Sequence, residues 1–261
     1  MLFWISTLYG LLIGSAINAI VWRIYAEKKW SKGRSMCPDC RHELAARDLV
    51  PVFSWLVLKG KCRYCRKNIH WQYPAVELLT AILFGLSAAA LAPVLFIQYA
   101  TFLIWLILLT MMIILAVYDT RWMILPDRIM KPAIVIAVLQ LVALAIFGEP
   151  LRVYIGPIIA AIGAGFGFYI LATIAGGRMM GGGDVKLAFL MGLILGISKT
   201  ILALLLAFNV AAIVGVILIA LRLHKRNQPM PFGPYLILGT FIAYLYGSEI
   251  IHWYLNLNGL I

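Results

Sequence analysis

Apolar residues run along this chain in blocks of membrane-helix length, parted by short polar or glycine- and proline-rich breaks. The blocks are Leu2 to Trp22, Pro74 to Ala92, Val94 to Tyr118, Ile129 to Phe147, Tyr154 to Ala175, Val185 to Ile197, Thr200 to Leu221 and Tyr235 to Tyr254. An α-helix needs about 20 apolar residues to cross a ~30 Å hydrocarbon core. The pattern therefore predicts an all-α polytopic membrane protein with about eight transmembrane helices. One block is short: Val185 to Ile197 reaches only ~20 Å at ~1.5 Å per residue, so it either starts below the membrane surface or bends into the next helix. Breaks at Pro93, Gly148-Glu149-Pro150 and Gly156-Pro157 fall on one side. Those at Pro126, Gly176-Gly177, Gly181 to Gly183 and Gly233-Pro234 fall on the other. The first block has neither a basic lead nor a small-residue cleavage site, which reads as a retained helix rather than a signal peptide. No internal repeat is apparent.

Composition agrees: 64% of the 261 residues are hydrophobic, 12% are charged, and the mean hydropathy is +0.97. The bilayer is the main solvent, and there is no water-soluble core to look for. The net charge of +12 raises nucleic acid as a partner, but twelve of the 22 Lys and Arg fall between Arg23 and Lys67. With eight crossings and the N-terminus outside, segments 23 to 73, 119 to 131, 176 to 186 and 222 to 233 face the cytoplasm and hold 12, 3, 2 and 3 basic residues. Only Arg152 and Lys199 are left for the opposite face. That asymmetry is the positive-inside bias, with attraction to anionic membrane lipid, and predicts no nucleic-acid partner.

All four cysteines lie in the basic segment, as Cys37-Pro38-Asp39-Cys40 and Cys62-Arg63-Tyr64-Cys65. Each Cys-x-x-Cys turn offers two sulfurs, and one ion closes both turns, which suits a tetrahedral four-thiolate zinc. Disulfides or free thiols are the competing uses, with a reducing cytoplasm against the former. Four ligands leave no open position, so the zinc would be structural. His42 and His70 lie nearby and read as plain surface histidines.

Carboxylates at the ends of membrane spans are costly and tend to be functional. Asp119 ends a long apolar block, Asp127 follows Leu125-Pro126, and Asp184 closes Gly181-Gly182-Gly183-Asp184. All three fall on the cytoplasmic side by the charge distribution. Two carboxylates brought close share one proton, so that the ionised one activates water and the other protonates a carbonyl oxygen. Gly181 and Gly183 would let an extended substrate strand approach. The plainer reading is an N-cap at Asp184 and an interfacial helix end at Asp119.

The residues also resemble the type IV prepilin peptidases, or leader peptidase/N-methyltransferases. The resemblance runs through Gly14-Ser15-x-x-Asn18, Arg23, the two cysteine turns, Leu49-Val50-Pro51-Val52-Phe53-Ser54-Trp55-Leu56 and Gly60-Lys61-Cys62-Arg63. It continues through Tyr73-Pro74-x-x-Glu77, Tyr118-Asp119, Leu125-Pro126-Asp127, Gly181-x-Gly183-Asp184-x-Lys186 and Pro231-Phe232-Gly233-Pro234. It implies a bifunctional enzyme of the bacterial inner membrane with Asp119 and Asp184 as catalytic dyad and Gly181, Gly183, Lys186 and Asp127 in support. Its substrates would be type IV prepilin or pseudopilin precursors. S-adenosylmethionine would be the methyl donor, and the cysteine segment is associated with methyl transfer. The chain then divides into a first helix (1 to 22), a cytoplasmic four-Cys segment (23 to 73) and a peptidase domain (74 to 261). Many members carry a second acid two positions after the first aspartate, where this chain has Arg121. The rival readings are a transporter or channel using intramembrane acids, and a membrane scaffold with a zinc module.

Overall fold

A computed structural model describes residues 1–29, 33–147, 150–174, 181–223, 225 and 229–259, without the side chain of Arg152. Among these the helices are α1 (Leu2–Tyr25), α2 (Phe53–Val57), α3 (Gln72–Leu91), α4 (Phe96–Trp122), α5 (Asp127–Ile146), α6 (Leu151–Ile174), α7 (Gly182–Ala220) and α8 (Gly233–Leu257). Except for the five-residue α2, all are long and apolar enough to cross a membrane, seven in number. A helix is the expected form because it satisfies its own backbone groups where no water is available. The turns expected at Gly148-Glu149 and Gly176-Gly177 lie outside the described residues.

The eighth crossing is hidden in α7. Its 39 residues would reach ~58 Å as one rod, about twice the hydrocarbon core. Gly196 breaks it, with φ 71° and ψ −179°, a left-handed conformation that suits glycine. Up to that break α7 runs antiparallel to α6, with Gly165 facing Phe189, Gly192 pressed on Ala160 and Ala161, and Gly196 next to Pro157. Beyond it α7 runs antiparallel to α8, with Lys199 against Gly247, Ala203 against Gly239 and Gly215 near Met230. The chain therefore reverses at Gly196, and the short block resolves as the first arm of a helical hairpin.

Two compact units divide the chain at α4, Met1–Leu106 and Ile107–Ile261. In the first, α1 and α3 pack antiparallel with almost no side chain between them. A Cβ on Gly10 would lie 2.8 Å from the Ala81 Cα, and one on Gly14 would lie 2.6 Å from the Glu77 Cα. Small residues four apart allow such close backbone approach, which drives helix association in lipid. Asn18 Nδ2 donates to the Tyr73 carbonyl at 3.0 Å and closes the end of the pair. In the second unit, α5 to α8 and the end of α4 carry the acids considered next.

Candidate active site

Asp119 sits near the C-terminal end of α4 and is 5% exposed. Its Oδ2 accepts the backbone N–H of Gly233 at 3.0 Å. Gly233 opens α8, where unpaired N–H groups and the helix dipole favour a carboxylate. A Cβ on Gly233 would stand 2.8 Å from that same oxygen, so only glycine lets α8 start so close. Asp184 occupies the first turn of α7, and its Oδ2 accepts the Gly181 N–H at 3.3 Å, tying the acid to its own helix start. Although 65 residues separate the two aspartates in sequence, Gly233, which holds Asp119, and Gly183, next to Asp184, both face Leu125.

Leu125 fills the space around the pair. A Cβ on Gly183 would come within 2.9 Å of the Leu125 Cβ, and one on Gly233 within 3.5 Å of its Cδ2. Gly183 and Gly233 thus pack against one buried leucine, which brings the α7 and α8 starts to the acids. Asp127, the first residue of α5, takes the Lys186 ammonium at 2.6 Å, with Lys131 at 3.6 Å. This ion pair is about half exposed on each side, and it links α5 to α7 two residues from Asp184. Asp119, Asp127, Gly181, Gly183, Asp184 and Lys186 are thus drawn to one end of the second unit. Gly233 and Leu125 were absent from the candidate residues. The motifs Pro231-Phe232-Gly233-Pro234 and Leu125-Pro126-Asp127 held the signal, without saying what either residue touches.

The four cysteines form a second centre, in the first unit. Their sulfurs all lie within 4.8 Å of one another, and Cys37 Sγ is 3.9 Å from Cys65 Sγ. Zinc–sulfur bonds of ~2.3 Å in a tetrahedron put sulfurs ~3.8 Å apart, whereas a disulfide needs ~2.05 Å. The donor set fits one tetrahedral ion, and none of the four cysteines is in a disulfide. The two turns are a structural repeat that residue identities conceal. Cys37 N–H donates to the His42 carbonyl and Arg41 N–H to the Cys37 carbonyl; twenty-five positions on, Cys62 N–H donates to Lys67 and Arg66 N–H to Cys62. Arg41 and Arg66 both adopt positive φ, 58° and 61°. Asp48 braces the second turn through Arg63 at 2.6 Å and Tyr64 at 2.9 Å. Burial opposes its charge, but these partners and the Ala45 N–H outweigh that and hold the carboxyl below its ordinary range. His42 stacks on Tyr64, and His70 Nδ1 accepts the Gln72 N–H at 3.2 Å. Neither histidine joins the sulfur cluster.

Comparison with known proteins adds to this geometry. Residues 8–91 match the bacterial peptidase A24 N-terminal domain, and residues 106–216 match the type IV leader peptidase family. The prepilin leader peptidase/N-methyltransferase of Aeromonas salmonicida is 34% identical over 95% of this chain and 92% of its own length. The chain belongs to the type IV leader peptidase family. The protein of the same name from Bacillus subtilis is 34% identical over 96% of both chains. That from Pseudomonas aeruginosa is 31% identical over 97% of this chain and 93% of its own. No solved structure matches.

For this leader peptidase, the Gly233 contact yields a prediction. Gly233→Ala should displace the Asp119 carboxylate by several tenths of an ångström and lower kcat for peptide cleavage by roughly tenfold to a hundredfold. KM should change little, because the substrate strand is not what moves. A kcat within twofold of the parent, with the protein equally folded in detergent, would show that the Gly233 contact does not set the acid's position.

Proposed function

We propose that this leader peptidase cleaves type IV prepilin or pseudopilin precursors with Asp119 and Asp184 and N-methylates the new N-terminal residue. The observation that supports it most is that Asp119, on α4, and Asp184, at the start of α7, are drawn to one end of the unit by Gly233 and Gly183 packing on Leu125, with Gly181 and Gly182 uncrowded beside them. In this reading one carboxylate is ionised and takes a proton from the attacking water, while the other, protonated, gives its proton to the scissile carbonyl oxygen. The Gly233 N–H holds one oxygen of Asp119 and leaves the other for the reaction. Gly181 admits the substrate as an extended strand, and Gly183 supports it by letting α7 start close against Leu125. Lys186 and Asp127 hold α7 and α5 in register beside the acids.

Cys37, Cys40, Cys62 and Cys65 would hold a structural zinc, which when bound closes the two turns into one fold. S-adenosylmethionine would supply the methyl group, in keeping with the N-methyltransferase name of the relatives. The proposed division keeps 23 to 73 as the four-Cys segment tied to methyl transfer and 74 to 261 as the peptidase domain. The charge distribution supports a multi-pass protein of the bacterial inner membrane with both aspartates facing the cytoplasm. In intact cells an impermeant thiol reagent should label a cysteine placed at position 150 but not one at 45, and labelling at 45 would reverse the orientation.

The decisive experiment incubates the purified protein with a pilin-type precursor and labelled S-adenosylmethionine and reads the product mass. Expected are the loss of the leader and a gain of one methyl group at the new N-terminus. An intact precursor under conditions that keep the protein folded would refute the assignment.

A further inference from the structure

In a segment otherwise dominated by charge, five apolar side chains in nine residues stand exposed: Leu49 at 37%, Val50 at 44%, Phe53 at 64%, Leu56 at 60% and Val57 at 58%. Phe53, Leu56 and Val57 share one face of the short helix α2, since positions three and four apart are neighbours on a helix. Water alone does not account for such a cluster, and contiguous exposed apolar surface marks a contact with something else.

The structure also fixes the depth of this cluster. Val52, at the start of α2, donates its N–H to Glu77 Oε2 at 2.7 Å. Glu77 lies within the membrane helix α3 and is 8% exposed, opposite Gly14 of α1. Trp71 precedes α3 and is 67% exposed, at a position where tryptophan marks the boundary between headgroups and hydrocarbon. Glu77 is six residues farther along, ~9 Å deeper at ~1.5 Å per residue, and its side chain leans back by only a few ångströms. Val52 is therefore held below the level of Trp71. It is also strained: φ 60° is rare for a β-branched residue and persists only where the surroundings impose it. The buried Glu77 carboxylate, with Ser15 as its second hydrogen-bond partner, is what imposes it. Arg47, Lys59, Lys61 and Arg63 flank the apolar stretch and match the charge of anionic headgroups.

We propose that residues 49 to 57 form an interfacial lipid anchor: Phe53, Leu56 and Val57 insert among the acyl chains, and Glu77 staples the loop to α3 at that depth. The occupant is the bilayer itself rather than a peptide, because the patch is tied to the membrane helix α3 through Val52 and Glu77 and is flanked in sequence by basic residues. Interfacial elements of this kind bury their apolar face about 5–10 Å into the boundary region. The consequence is that the four-Cys segment is not a free cytoplasmic appendage but rests on the membrane surface.

The test uses the full chain in nanodiscs of phosphatidylethanolamine and phosphatidylglycerol. With a benzophenone amino acid in place of Phe53 or Leu56, illumination should yield lipid adducts about tenfold above those from position 43, which is exposed on the first cysteine turn. Adducts to a peptide precursor or to a second copy of the chain in place of lipid would overturn the proposal, as would lipid adducts no greater than at position 43. Hydroxyl-radical labelling of the unaltered protein gives a second reading independent of any substitution. Phe53 and Leu56 should be labelled roughly tenfold less than Tyr64, although both are more exposed on the protein itself. Equal labelling would mean that no lipid covers them.

Discussion

Asp119→Asn and Asp184→Asn each reduce cleavage of a pilin-type precursor by at least about a thousandfold while the protein remains folded in the membrane. Asparagine keeps the size of the side chain and can still accept the Gly233 N–H at position 119 or the Gly181 N–H at position 184. What it loses is the ability to take or give a proton. The two changes should be non-additive: once one carboxylate is gone the shared-proton device is gone, and the second loss removes little more. Asp127→Asn should cost far less, because its ion pair with Lys186 is half exposed and exposed pairs are worth about 1 kcal/mol or less. Measuring kcat/KM for the two single variants and the double variant decides the matter. Near-parental cleavage by either single variant removes the aspartic dyad and brings the transporter reading forward.

Replacing Cys62 by Ser should release the metal and abolish methyl transfer while leaving cleavage within several-fold of the parent. Cys62 is 3% exposed and Cys37 6%, so the two buried sulfurs form the inner half of the site. Ser offers a poorer ligand, and four ligands on two short turns leave no spare donor to replace the lost one. Regular structure among the described residues of the segment is slight, two isolated bridges, Met36 with Glu43 and Lys61 with Asn68, and two short helical turns, so the ion is expected to fix how the two cysteine turns meet. The aspartates belong to the other compact unit, which is why cleavage should survive. Elemental analysis of protein purified without chelators should find one zinc per chain in the parent and none in Cys62→Ser. Two disulfides and no zinc in the parent would end this reading. Equal loss of cleavage and methylation would show instead that the peptidase unit depends on the segment.

The helices could be read directly from the sequence, because the bilayer imposes a single rule: about 20 apolar residues and an internally satisfied backbone. Block limits such as Pro74 to Ala92 and Ile129 to Phe147 fall within a few residues of α3 and α5. The cysteine spacing was equally legible, since two turns of fixed length can close on one ion without help from distant residues. Chemistry placed Asp119 and Asp184 as candidates, but that Gly233 holds the one and Gly183, beside the other, packs on the same Leu125 is something no local pattern encodes. Contacts at that level belong to the tertiary structure alone. Gly233 holds Asp119 across 114 positions, Leu125 is clasped by glycines of two helices, and Glu77 reaches a backbone amide 25 positions away. A break near residue 198 was legible too, in the two blocks Val185 to Ile197 and Thr200 to Leu221, but whether the short first block began below the surface or bent into the next helix was not. Packing of one arm on α6 and the other on α8 selected the break. Periodicity and spacing act over a few residues and survive in the sequence; partner choice between helices depends on surface fit over the whole unit, and only the folded chain decides it.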